Sequence, residues 1–188
     1  NWLATGIAGC PTGDIVSDGR VDLTDFAAMS DNWNPTPPVT NLLLNGSFEL
    51  DDDSNGYPDN WGQRISTSWD TTTAHTGSAS LMVDDTESGD IFVNQNLDTL
   101  TSGMNYTLSA WMKTDGATGD GMFIRYANTG GGGGDWGTWN DPVTGTTDWT
   151  EKSVNFEAPT GIGRVDLHYG GVGTGGTGWY DDVTLVEN

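Results

Sequence analysis

Beyond residue 40 the chain is built from short alternating runs of apolar and polar residues. In NYTLSAWMK, residues 105–113, Tyr106, Leu108, Ala110 and Met112 fall on one side, and Thr107, Ser109, Trp111 and Lys113 on the other. A period of two is the signature of a half-buried strand. KSVNFEAP and GRVDLHYG follow the same rule, with Val154, Phe156, Val165, Leu167 and Tyr169 facing inward. Strands are expected around 79–84, 90–97, 105–113, 121–127, 151–157, 163–169 and 179–186, separated by Gly, Asp and Asn turns. No helix-period stretch longer than two turns occurs after residue 35. The fold class predicted is all-β, a jelly-roll β-sandwich spanning 41–188.

Residues 1–33 read differently. In DIVSDGRVDLTD, residues 14–25, oxygen-bearing groups recur at the spacing of an EF-hand loop. Asp14 takes position 1, Asp18 position 5, the Arg20 carbonyl position 7, Asp22 position 9 and Asp25 position 12, with Gly19 at the sharp turn. The set departs from the pattern at Val16, which has no side-chain oxygen for position 3, and at Asp25, whose arm is shorter than the usual Glu. Leu23, Phe26, Ala27, Met29 and Ser30 then suit one short amphipathic helix ending near Trp33. The Pro-rich stretch NPTPPVT, residues 34–40, is expected to be a stiff linker.

Six Lys and Arg stand against 27 Asp and Glu, a net charge of −21, which sets aside nucleic acid and anionic membrane surfaces as partners. Abundant glycine (28 residues) and nine Trp fit a secreted, loop-rich β protein, with an extracellular or cell-surface location expected. No apolar run is long enough to insert in a bilayer. Cys10 stands alone, so its expected states are a bond to another chain or upstream segment, or a buried thiol. The opening Asn1-Trp2-Leu3 echoes Asn32-Trp33, and residues 1–3 are read as the tail of an upstream repeat.

Two resemblances follow from these residues. The run of Asp-Gly-x-Val-Asp-Leu-x-Asp-Phe followed by Ala-Ala-Met-x-x-Asn-Trp, within 14–33, resembles a dockerin type I repeat. The segments LLLNGSFELDDDSNGYPDNW (42–61), HTGSASL (75–81), MNYTLSAWMKTD (104–115), TDWTEKSVNFEAP (147–159) and GWYDDVTLVEN (178–188) occur in order and together resemble a carbohydrate-binding module of the family 4/9 type. That resemblance implies a non-catalytic jelly roll, attached in its relatives to glycoside hydrolases, and a structural calcium near Glu49 and Asp182 with carbonyls of the His75–Ser78 turn. Strand order agrees, since the first and last strands of a sandwich lie side by side.

With the inward residues assigned to the core, Trp111, Phe123, Arg125, Asp166 and His168 point away from it, a ring-rich polar surface suited to a glycan. The loop TGGGGGDWGTWND, residues 129–141, is expected to carry Trp136 and Trp139 over its rim. The residues expected to bind ligand are therefore Trp111, Arg125, Trp136, Trp139 and His168. Those expected to hold calcium are Asp14, Asp18, Arg20, Asp22, Asp25, Glu49 and Asp182. No HExxH, GxSxG or phosphate-loop motif is present, so no enzymatic activity is expected. The partner expected is a polysaccharide or cell-surface glycan. The alternative is copies of the same chain, assembled head to tail as a calcium-stabilised filament or surface layer.

Overall fold

The computed structural model describes Asp14 and residues 17–32, 40–62, 64–84, 90–97, 100–128, 135–161, 163–170 and 175–188, with the side chains of 29–32, 128 and 135–139 left out. Trp2, Cys10, Val16, Trp33 and most of the Pro-rich stretch lie outside the described residues. The chain divides into two compact units, Asn1–Val39 and Thr40–Asn188.

Among the described residues of the first unit a helix, α1 (Leu23–Asn32), follows the acidic loop. Its start is fixed by reciprocal capping. The Asp22 carboxylate accepts from the Thr24 N–H (2.8 Å), and the Asp25 carboxylate accepts from the Asp22 N–H (2.9 Å). These bonds satisfy donors that a helix N-terminus otherwise leaves open.

The second unit contains β1 (Thr67–Asp70), β2 (Ser80–Asp84), β3 (Ile91–Leu97), β4 (Asn105–Asn128), β5 (Asp135–Trp139), β6 (Val143–Glu157), β7 (Gly163–Tyr169) and β8 (Thr177–Glu187). They join in one curled, 8-stranded antiparallel sheet along the path β1-β2-β8-β4-β7-β3, with β5 and β6 also on β4. β4 is the pivot. Its first half, from Asn105 to Asp115, pairs with β6 and β8, whereas Met122–Asn128 pairs with β7 and β5. Between the halves Gly116, Gly119 and Gly121 all have positive φ, which bends the strand so that it serves both layers of a sandwich. The sequence suggests two strands here, at 105–113 and 121–127; they are one bent strand.

The core lies between the layers. Tyr106, Leu108, Ala110, Met112, Ile124, Tyr126, Val165, Leu167 and Tyr169 are each 3% exposed or less. Phe156 fills the gap between two of them, with ring centroids 4.1 Å from Tyr126 and 5.8 Å from Tyr106. Tyr180, fully buried, places its hydroxyl 2.6 Å from the His168 carbonyl and 3.1 Å from that of Phe123. It ties β7 to β4 from beneath, and burial pushes its pKa well above the usual tyrosine value.

The opening segment runs beside β8: the Leu42 N–H donates to the Leu185 carbonyl (2.9 Å) and the Val183 N–H to the Gly46 carbonyl (2.7 Å). Among the described residues no helix is long and apolar enough to cross a membrane.

Candidate functional site

Strand register arranges the outer face of the β3-β7-β4 layer. Residues directly opposite one another in antiparallel strands share a face. Phe92, His168 and Phe123 therefore form one cross-strand row, Asn94, Asp166 and Arg125 the next, and Asn96, Arg164 and Ala127 a third. β5 adds Trp139 as the backbone partner of Arg125. The side chains of Trp136 and Trp139 lie outside the described residues.

This face is charged, yet partly closed to water. Asp166 is 0% exposed, Arg125 8% and His168 5%. Sequence alternation predicts these three as surface residues, and their burial departs from that. The Arg125 Nε donates to Asp166 Oδ2 at 2.8 Å, and Arg164 brings its Nε to 2.7 Å from Asp166 Oδ1. One buried carboxylate is thus held between two guanidinium groups, a pairing that offsets the desolvation of all three. His168 stacks between rings, its centroid 4.2 Å from Phe123 and 6.5 Å from Phe92. Burial, reinforced by the Arg125 charge, pushes its pKa below the usual histidine value. The neutral ring keeps a buried Nδ1 without a hydrogen-bond partner among the described residues.

Trp111 is elsewhere. On β4 it faces Glu151 of β6 and Asp181 of β8, before the glycine bend. Arg125 lies after the bend, in the other layer. The two outward faces of one strand therefore end up on opposite sides of the sandwich, and Trp111 does not join Arg125 and His168. It stacks instead on His75, with centroids 3.8 Å apart and planes within 13°, while Trp149 approaches the same histidine edge-on at 5.7 Å.

That histidine leads to the Glu49–Asp182 region. His75 Nδ1 lies 2.7 Å from Asp182 Oδ2, and the Thr76 hydroxyl donates to Asp182 Oδ1 at 2.7 Å. Glu49 accepts from the Ser78 N–H (2.9 Å), the Ser78 hydroxyl (2.7 Å) and the Ala79 N–H (3.0 Å). Burial works to raise its pKa, but the three donors outweigh that and the net shift is downward. Gly77, at φ 64, lets the turn wrap this carboxylate, because a Cβ there would collide with it. Asp182 also has positive φ (46°), at a bulge where the β4–β8 register slips between Ser109 and Trp111. Glu49 and Asp182 line one cavity of about 470 Å³, together with Asn41, Asn45 and Ser47. Asp181 beside them is pushed up to about 6, by desolvation first and the Asp182 charge as a lesser cause. The oxygen-rich lining suits a hard cation such as calcium.

In the first unit, ligand oxygens of Asp14, Asp18 and Asp25 lie within 4.8 Å of one another. Asp14 accepts from the N–H groups of Asp18 (3.1 Å) and Gly19 (2.9 Å), which curls the loop around its first position. Asp22 stands apart from the three and caps α1. The donor set fits calcium at three of the expected side chains. An acidic loop absent from the sequence-based expectations is similar: Asp51, Asp53 and Asp59 also bring ligand oxygens within 4.8 Å. The spacing Asp51-x-Asp53-x-Asn55-Gly56-x-x-Asp59 was the signal for it. Phe92, Asn94, Arg64 and Arg164 were likewise missed, because only strand pairing reveals their company.

A carbohydrate binding domain profile, that of family 4/9, matches residues 40–169. No curated protein matches the chain. Among solved structures, a family 16 carbohydrate-binding module superposes with a TM-score of 0.57 at 24% identity, over 78% of this chain and 100% of its own. Carbohydrate-binding module 61, solved with β-1,4-galactotriose, gives 0.56 at 22% identity, over 79% of this chain and 99% of its own. A Stig cyclase from Fischerella sp. TAU gives 0.58 at 16% identity, over 80% and 98%. At such identities the likeness is one of fold, and that fold carries both sugar binding and catalysis. The profile match covers most of the second unit and sets the family: the chain belongs to the family 4/9 carbohydrate binding domains.

Proposed function

We propose that this chain is a non-catalytic, extracellular carbohydrate-binding module stabilised by calcium, with its sugar site on the outer face of β3, β7 and β4. The observation that carries the reading is the cross-strand grid, in which Phe92, Phe123 and His168 offer rings beside the polar groups of Asn94 and Arg125. Sugar hydroxyls need directional partners and sugar C–H faces favour aromatic ones, and the grid supplies both. Trp136 and Trp139 are proposed to complete the rim from β5.

Calcium is assigned to Asp14, Asp18 and Asp25 with the Arg20 carbonyl, and to Glu49 and Asp182. Asp22 would reach that first ion only through water. An ion bound to the folded chain alone, at a concentration of about 100 times Kd, stabilises by roughly 2.7 kcal/mol. For a chain of this size that is a rise of roughly 5–10 °C in melting temperature. Melting in millimolar calcium and again in chelator tests it, and equal melting temperatures would remove both assignments.

A second reading is favoured by one observation. Leu23 is 83% exposed and Phe26 62% exposed on α1. An apolar helix face of this kind suits a dockerin-type repeat awaiting a mate, or copies of this chain assembled head to tail. Sedimentation with and without calcium separates monomer from assembly.

A further inference from the structure

We propose that the sugar taken by this face carries a carboxylate, a uronic acid unit held by Arg64 where its guanidinium lies against Phe92; this rests on the reading of the face as the sugar site. Cations are scarce in this chain, six against 27 acids. Even so, Arg64, Arg125 and Arg164 gather around a single ring and its neighbours. The guanidinium carbon of Arg64 lies 5.2 Å from the Phe92 centroid, and that of Arg164 lies 5.3 Å from it.

The placement of Arg64 is fixed from several directions. Its backbone N–H donates to the Thr67 hydroxyl (3.2 Å), which in turn donates to the Arg64 carbonyl (2.6 Å). Its Nε donates to the Phe92 carbonyl at 3.1 Å. Arg64 is nonetheless exposed and forms no ion pair among the described residues. A stacked guanidinium whose Nε is already engaged presents its outer nitrogens to solvent as a preset donor edge. Planar carboxylates match that edge in two parallel bonds, and little side-chain freedom remains to be lost.

Charge around the grid is mixed, with Asp90 and Asp120 both acting on His168. Asp166 balances Arg125 and part of Arg164, leaving Arg64 without a described counter-ion. Asp90, 3.9 Å from His168 Nε2, lies just before β3 at the Phe92 end of the rows, and its charge opposes an acidic ligand there. The overall charge of −21 does not forbid an acidic ligand. At physiological salt, charges farther than about 8 Å are largely screened, so the contacts at the face decide. The same overall charge excludes loose ion exchange with an anionic glycan, which makes any binding seen a property of the site.

The test is calorimetric titration of the full chain, in 0.15 M salt and fixed calcium, with trigalacturonic acid, its methyl ester, neutral galactotriose and a sulfated galactan oligomer. The acid is expected to bind about tenfold more tightly than its ester. Arg64→Ala should remove that preference while keeping the fold, with a fall in melting temperature of only about 2–4 °C from the lost Phe92 contacts. Equal binding of acid, ester and neutral trisaccharide would overturn the acidic-ligand proposal and leave sugar binding intact. Tighter binding of the sulfated oligomer would overturn the carboxylate assignment in favour of sulfate. No binding of these or of a broad neutral glycan panel would instead overturn the reading of this face as a sugar site.

Discussion

Asp166 lies beneath the grid with no exposure, between Arg125 and Arg164. Removing one member of a buried ion cluster leaves the others uncompensated, so Asp166→Ala is expected to cost about 3–5 kcal/mol in chemical denaturation. A variant as stable as the parent would mean the cluster is hydrated and open. His168 gives a pH signature. Its folded pKa lies below the ordinary value of about 6.5, so the unfolded chain binds the proton more readily. The histidine's contribution to stability is therefore present above pH ~6.5 and is lost as pH falls through the folded value. The drop in melting temperature from pH 7 to pH 5 should be smaller in His168→Gln than in the parent. Identical drops would show that the ring titrates normally.

At the scale of elements, two backbone devices place the chemistry. The glycine bend of β4 sends Trp111 to one layer and Arg125 to the other, and the bulge at Asp182 turns that carboxylate toward the His75 turn. Gly77 makes the turn possible. Gly77→Ala should destabilise by roughly 1–2 kcal/mol from its left-handed backbone alone, and should weaken the calcium response because the new methyl displaces Glu49. Both effects are read in one pair of melts, with calcium and with chelator. Alternation in the sequence located most strands and the inward residues, because each strand has one face on the core and a period of two reports that. It could not report where a strand changes layer. Tyr106, Leu108, Ile124 and Tyr126 were legible as core on either side of the bend, yet the outward partners of those same stretches were read as one surface. Nor does alternation show pairing, which is why Phe92 and Arg164, strands apart in sequence, come into the site only through register. β1 (TSWD) and β5 (DWGTW) were missed for a simpler reason: neither carries an apolar–polar alternation.

For the whole molecule, the fold and family describe a sandwich whose relatives bind carbohydrate, and the site on it is argued from chemistry. The clustering of Asp14, Asp18 and Asp25 was legible because it follows a fixed spacing along the chain itself, unlike a face assembled from several strands. The central claim is that glycan binding lives on the β3-β7-β4 face. Its most direct test is affinity electrophoresis in calcium against a panel of soluble polysaccharides, comparing the parent chain with Phe92→Ala and Trp111→Ala. At least one polysaccharide should retard the parent, Phe92→Ala should weaken that binding about tenfold or more, and Trp111→Ala should leave it unchanged. Loss of binding in Trp111→Ala with Phe92→Ala unaffected would contradict the account and move the site to the opposite face of the sandwich.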